Sequence, residues 1–236
     1  MGAYSGPDIV EDGLVLCLDA GNAKSYLGSG TTWTDLSGNG NTGTLVNGVG
    51  FDSDNGGSLS FDGTDDEVLI SNNEMARIGT GNHTITAWVN NDIVTEEDFI
   101  GTNGTSTGDV LLMIFNHAGG GSGGFRGHAW SSTGNANTID SPRAIGTGNW
   151  SMLTQRVTWG GNIDLFENGV LTATQALVGG APTSSRTQMV IGCRASGGSS
   201  SSHFDGKISN VSIYNRALTA AEVTQNYNAT RSRYGL

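Results

Sequence analysis

Two turns of the chain place hard oxygen donors close together. Asp35-Leu36-Ser37-Gly38-Asn39-Gly40-Asn41 and Asp62-Gly63-Thr64-Asp65-Asp66 supply carboxylates, amides and backbone carbonyls within a few residues of one another. Calcium takes this kind of donor set. The same residue types also fold Asx-type turns with no metal, because their side chains accept hydrogen bonds from backbone two residues on. Other reactive arrangements are poorer. His83, His117, His128 and His203 lack metal-ligand spacing, no Gly-x-Ser-x-Gly elbow occurs, and neither Cys17 nor Cys193 has an obvious partner. The cysteines sit in the apolar runs LVLCLDA and MVIGCRA, which reads as two buried free thiols; a single bridge requires the first and penultimate strands to be neighbours.

The composition bounds the scaffold that must hold these groups. A chain of 236 residues is long enough for one large all-β domain or two small ones, and 38 Gly against 3 Pro imply many tight turns. With 22 acidic and 11 basic residues the formal net charge is -11, which disfavours nucleic acid, where affinity depends on neutralising phosphates. No stretch approaches the roughly 18 apolar residues of a membrane-crossing helix. The opening MGAYSGPDIVEDG lacks the basic and apolar parts of a secretory signal, so the expectation is a protein that stays soluble where it is made.

Short β-like runs separated by Gly, Asn, Asp and Ser recur from end to end, the pattern of a sandwich or barrel. Strands are expected near Gly13 to Leu18, Ser58 to Phe61, Glu67 to Ile70, His83 to Asn90, Val110 to Phe115, Gly124 to Trp130, Trp150 to Trp159, Ile163 to Glu167, Val170 to Thr174, Thr187 to Cys193 and Lys207 to Tyr214. Trp150 to Thr174 reads as a three-stranded meander, with Asn168-Gly169 suited to a type I′ turn. Its middle strand turns Ile163 and Leu165 one way and Asp164 and Phe166 the other, so both faces carry apolar load. In the closing segment FDGKISNVSIYNRALTAAEV, Ile208 and Val211 are three apart, and a bulge near Ser209 and Asn210 restores one apolar face. Thr219-Ala220-Ala221-Glu222 fits a capping box and starts the one helical turn expected. The Gly-rich patches around Gly121 and Ser200 read as loops within a single domain spanning 1–236, with an N-terminal arm over 1–12 and a helix and tail over 219–236.

Six segments, in order and covering nearly the whole chain, resemble the laminin G-like, concanavalin A-like lectin and glucanase superfamily. They are LVLCLDAGNAKSY, WTDLSGNGNTGTL, SLSFDGTDDEVLI, HTITAWVN, IDLFENGVL and the closing segment. The resemblance implies an all-β, two-sheet antiparallel jelly roll with a short C-terminal helix, in which the last strand lies beside early ones. It also implies a structural Ca2+ between early loops and the last strand, for which the candidates are Asp35, Asn41, Gly63, Asp65 and Asp205. A sugar site is implied too, with an aromatic face for the apolar side of a sugar; Trp33, His128 and Trp130 are the candidates, while Trp88 and Trp150 read as core.

The superfamily includes hydrolases, and its family 16 enzymes carry their carboxylates in a motif close to Glu-Ile-Asp-Leu-Phe-Glu. Here the run is Asn162-Ile163-Asp164-Leu165-Phe166-Glu167. An amide stands where the nucleophile is needed, which argues against retaining hydrolysis and for no catalysis. The opening LDAGNAKSYLGSGTTWTDLSGNGNTGTL most resembles domains in structural proteins of marine bacteriophages. That resemblance implies a non-catalytic virion module assembled in the host cytoplasm. Its expected partners are other virion structural proteins and host-surface glycan, with a homo-oligomer compatible. The alternatives are a polysaccharide-degrading enzyme or a purely architectural protein.

Overall fold

The computed structural model describes residues 8–70, 78–93, 97–103, 113–117, 124–134, 136–182, 188–196 and 199–236. Its first sheet is assembled around β7 (His83–Asn91) and β18 (Asp205–Tyr214). On one side of β7 come β12 (Ser151–Val157), β13 (Asn162–Glu167) and the edge strand β14 (Val170–Ala176). Beyond β18 lie β1 (Leu14–Asp19) and, in tandem with it, β5 (Ser58–Asp62), itself bordered by β4 (Gly50–Asp52).

The second sheet runs in the order β11 (Ala136–Ala144), β10 (Gly124–Trp130), β9 (Met113–His117), β8 (Glu97–Asn103), β15 (Gln188–Ile191), β6 (Glu67–Ile70), β3 (Gly43–Val46) and β2 (Thr32–Trp33). A small hairpin, β16 (Arg194–Ser196) with β17 (Ser199–Ser201), follows β15. All described pairings are antiparallel, giving the expected jelly-roll sandwich.

Alternation along the strands explains the layers. Ile85, Ala87 and Val89 of β7, Ile163 and Leu165 of β13, and Ile208, Val211 and Ile213 of β18 enter one core between the sheets, where they meet Phe99, Phe125, Val68 and Ile70. The register of β18 shifts between Ile208 and Asn210, so the bulge falls at Ser209 and keeps the apolar residues on one face. That bulged serine is held from both directions: Ser209 Oγ donates to the Gly57 carbonyl at 2.7 Å and accepts from Arg233 Nη2 at 2.9 Å.

The outer face of the first sheet is covered by α1 (Ala220–Thr230) and the turn after it. The capping box forms: Thr219 Oγ1 accepts from the Glu222 N–H at 3.2 Å, and the Glu222 carboxylate accepts from the Thr219 N–H at 2.7 Å. Trp88 is 1% exposed, stacked on Tyr234 at 4.0 Å and donating its indole N–H to Thr230 Oγ1 at 2.8 Å. Phe166, Met152, Tyr214 and Val223 complete this second cluster, against which Trp150 packs half-buried.

The predicted I′ turn is present, with φ of 52° at Asn168 and 78° at Gly169. Both cysteines are free and buried, Cys17 in β1 of the first sheet and Cys193 just past β15 of the second. Several strands escaped the sequence reading: β2, β3, β4, β8, β11, β16 and β17. The expected strand at Val110 to Phe115 is seen from Met113; residues 110–112, Thr187 and the Gly-rich patch at 118–123 lie outside the described residues.

Candidate functional site

The run Gly124-Phe125-Arg126-Gly127-His128-Ala129-Trp130 sends alternate residues to opposite faces of its sheet. Phe125 and Ala129 are fully buried in the core. Gly127 lies so close to the opposing sheet that a Cβ there would sit 2.6 Å from Leu165 and 2.7 Å from Gln155. Gln155, fully buried on β12, spans the gap: its Oε1 accepts from the His128 N–H at 2.9 Å and its Nε2 donates to the His128 carbonyl at 3.3 Å. β10 is thereby pinned against the first sheet, and Arg126, His128 and Trp130 stand half-buried on its outer face.

The His128 and Trp130 rings lie 5.5 Å apart at 42°. Neighbouring β11 adds Thr138, whose hydroxyl is 3.0 Å from His128 Nδ1, and Asp140, which takes Arg126 in a fork at 2.5 and 2.9 Å. Burial pushes the His128 imidazole down to about 4, helped by the positive charges of Arg194 and Arg126, so the ring is neutral at neutral pH. The face therefore combines an aromatic plane, a neutral imidazole, a hydroxyl and guanidinium donors. Such a set suits a ligand with an apolar face and a rim of hydroxyls.

A second constellation gathers at the start of β18. Asp205 lies opposite Asp62 in the ladder, the Gly63 N–H donates to the Phe204 carbonyl at 3.1 Å, and the Asp92 N–H donates to the Asp205 carbonyl at 3.0 Å. Gly63, at φ +72°, passes so near that a Cβ would meet Asp205 Cβ at 3.0 Å. Carboxylate oxygens of Asp62, Asp65 and Asp66 lie within 4.8 Å of one another. The carboxyl of Asp205 is raised by burial and by Asp92 and Asp62, and that of Asp66 by burial and then by Asp62 and Asp65. These all-oxygen donors, concentrating negative charge, fit a hard cation. The turn is also braced internally, since Asp62 accepts from the Thr64 N–H at 2.9 Å and Asp66 from the Asp62 N–H at 3.1 Å.

Of the expected ligands, Gly63 lies against Asp205 and Asp65 stands in the same turn as Gly63, while Asp35 and Asn41 lie elsewhere. Asp35 accepts from the N–H groups of Cys17, Ser37 and Asn41, each at 2.9 Å, and from Ser37 Oγ at 2.8 Å, while Asn41 Nδ2 donates to the Val15 carbonyl. Cys17 faces Ser212, seven residues along β18 from Asp205, or roughly 20 Å at about 3.3 Å per residue. This carboxylate organises its own turn and its acceptor sites are taken. Trp33 also needs correction. It is fully buried in the core, so no ring face is available to a sugar.

A family model described as concanavalin A-like lectin/glucanases superfamily matches residues 62–224. The chain belongs to that superfamily. Solved structures agree on the fold. Domain 4 of AbnA, a GH43 extracellular arabinanase from Geobacillus stearothermophilus solved with arabinotriose, is similar over 91% of this chain and 98% of its own, with 18% identity and a TM-score of 0.67. The binding domain of botulinum neurotoxin DC, solved with SialylT, is similar over 93% of this chain at 12% identity and a TM-score of 0.71. The binding domain of Paraclostridial Mosquitocidal Protein 1 is similar over 93% at 17% identity and 0.69. The chain spans about half the length of these toxin domains, 52% in each case. No curated protein matches the chain.

Within this lectin-like fold the two acids of the hydrolase-like run are separated by the sheet itself. Asp164 is buried on the helix-covered face, paired with Arg156 at 2.8 Å and accepting from Thr174 Oγ1 at 2.6 Å; Arg156 in turn donates to the Leu218 carbonyl. Glu167, three residues on, alternates to the opposite face, its carboxyl raised by burial against a smaller lowering by the positive charge of Arg143 on β11. Arg126, Thr138, Asp140, Arg194 and Asp92 escaped the sequence reading, whereas Asp62 and Asp66 were read within the oxygen-rich turn but not singled out as ligands. For Arg126 the signal was available, since it shares the parity of His128 and Trp130 in FRGHAW.

Proposed function

We propose that this chain is a non-catalytic recognition module of a virus particle, displayed as a decoration, fibre or tail-associated protein, that binds host-surface carbohydrate on the outer face of β10 and β11. The carrying observation is the half-buried His128–Trp130 ring pair, framed by Thr138, Arg126 and Asp140 and fixed from behind by Gln155. Aromatic planes with flanking donors grip sugars at low entropic cost. Two structures of the same fold carry sugar-type ligands in their names, arabinotriose and SialylT. The particle setting rests on the resemblance of the opening segment to marine phage structural domains, and several copies on one particle raise avidity without new contacts. Its partners are then other virion proteins and host glycan.

A glycan array probed with the full chain tests the sugar reading: binding to a defined set of host polysaccharides, lost in Trp130→Ala, is expected. A chain silent across the array is an architectural protein. Co-purification with intact particles, located by labelled antibody, tests the setting. In the same proposal Asp62, Asp65, Asp66 and Asp205 hold Ca2+, which supplies positive charge that ties the early turn to β18. Melting with and without EDTA, together with elemental analysis, tests this; an unchanged midpoint and no calcium in the purified protein remove it.

A further inference from the structure

An edge strand presents a row of backbone N–H and C=O groups with which another chain can pair. Among the described residues the two large sheets end in β4 and β14, and in β2 and β11. Three of these edges are blunted. β2 and β4 are only two and three residues long, and β11 carries Asp140, Pro142 and Arg143. β14 has none of these protections. It runs for seven residues, VLTATQA, without a charge or a proline. Val170 is 56% exposed and Leu171 47%, and just past the strand Val178 is 59% exposed. One side of β14 is paired with β13; on the other, among the described residues, its backbone makes no hydrogen bond to any backbone or side chain. β11 approaches through its side chains, Ser141 to the Thr172 hydroxyl and Asn137 to the backbone of Val178, and leaves that ladder open.

The charge pattern selects the partner. No acidic residue, basic residue or histidine occurs from Asn168 to Ser185, in a chain that carries 22 acidic and 11 basic residues. Two molecules of net charge -11 repel each other and meet at least cost where neither presents charge. An uncharged edge also offers nothing to a charged partner. An antiparallel ladder is self-complementary, because a two-fold axis brings the donors of one copy to the acceptors of the other. Centred on the strand, that axis carries Val170 and Leu171 of one copy toward Leu177 and Val178 of its partner. We propose that β14 is a dimerisation edge, pairing antiparallel with β14 of a second copy so that the two first sheets become one continuous sheet. The pairing does not depend on the sugar reading. Where that reading holds, an axis perpendicular to the sheet keeps both second sheets on one side, so both β10 faces point the same way and a dimer engages one surface twice.

The test is sedimentation velocity of the full chain across micromolar concentrations, joined to hydrogen exchange at the two ends of that range. A monomer–dimer equilibrium is expected, with the amides of Val170 to Ala176 gaining protection as the dimer forms. Leu171→Glu combined with Gln175→Glu sets like charges on both copies at the seam and should weaken the dimer about tenfold or more. Leu27→Glu, at a site 82% exposed and outside β14, should leave it intact. A chain that stays monomeric at every concentration overturns the proposal. So does a dimer that survives the double substitution, or one whose new protection falls outside β14. Should the double variant fail to fold, the exchange pattern of the parent decides by itself, since it needs no substitution.

Discussion

Both sheets of the sandwich set tryptophan, arginine and hydroxyl groups on their outer faces, and the two faces end differently. On the first, the chain supplies its own cover. Tyr227 and Tyr234 stack on Trp88, Thr230 takes its indole N–H, and Arg156 lies 4.9 Å over Phe166 while paired with Asp164. The Trp88 indole N–H and the Arg156 guanidinium both have internal partners there. On the second, Trp130 meets His128 and remains half-exposed beside Thr138. Residue type alone therefore does not separate a wall from a site. The deciding feature is whether the fold returns a segment to satisfy the face.

The largest expected effect comes from removing the cover and the strand that carries it. β18 lies between β7 on one side and β1 with β5 on the other, so truncation before Phe204 opens the middle of the first sheet and exposes two long edges. Insoluble protein is expected; a soluble product that melts cooperatively would show that the sheet closes without its last strand. Next comes a matched pair of substitutions that bears on the two faces directly. Trp88→Ala empties a fully packed site and should cost about 3–5 kcal/mol in chemical denaturation with sugar binding kept in the folded fraction. Trp130→Ala should cost about 1 kcal/mol or less, as a half-exposed side chain does, while binding is lost. Equal destabilisation by the two would mean that Trp130 is core and that the faces do not differ.

Much of the fold was legible because its signals are local. Alternation in β7, β10 and β13, the Asn168-Gly169 turn, the odd spacing that forced a bulge at Ser209 and the Thr219–Glu222 box each declare themselves within a few residues. Short strands such as Thr32–Trp33 and Gly50–Asp52 carry too few residues for a period, and β11, ANTIDSPRA, breaks alternation with Pro142 and charge. The blunting of β11 has its own logic at a sheet edge. Its Asn137 side chain also exchanges two hydrogen bonds with the backbone of Val178, at 2.7 and 3.2 Å, closing the seam beside β14.

The site was less legible because it is assembled across strands. Trp33 and Trp130 both stand in loop-rich surroundings in sequence, and only topology buries one and leaves the other at the surface. Asp35 and Asp65 both sit in oxygen-rich turns, and only the pairing of Asp205 with Asp62 selects the second.

The smallest expected effect probes how firmly the cover is latched. Glu222 is paired with Arg216 at 2.6 Å and closes the capping box, and this pairing holds its carboxyl down to about 2. A folded value below the ordinary one means that the contribution is complete above the usual carboxylate range, near 4.5, and is lost as pH falls toward 2. Glu222→Gln keeps an acceptor for the Thr219 N–H and removes only the charge. Because the pair is partly open to water, about 1 kcal/mol is expected at pH 7, or a midpoint lower by roughly 2–4 °C, shrinking toward zero between pH 4 and pH 2. Sugar binding measured at pH 7 should not change, since the latch lies on the covered face. A variant whose deficit is the same at pH 7 and pH 2.5 would assign the loss to the cap's geometry; one that loses sugar binding while still folded would show that the covered face and the open one are coupled.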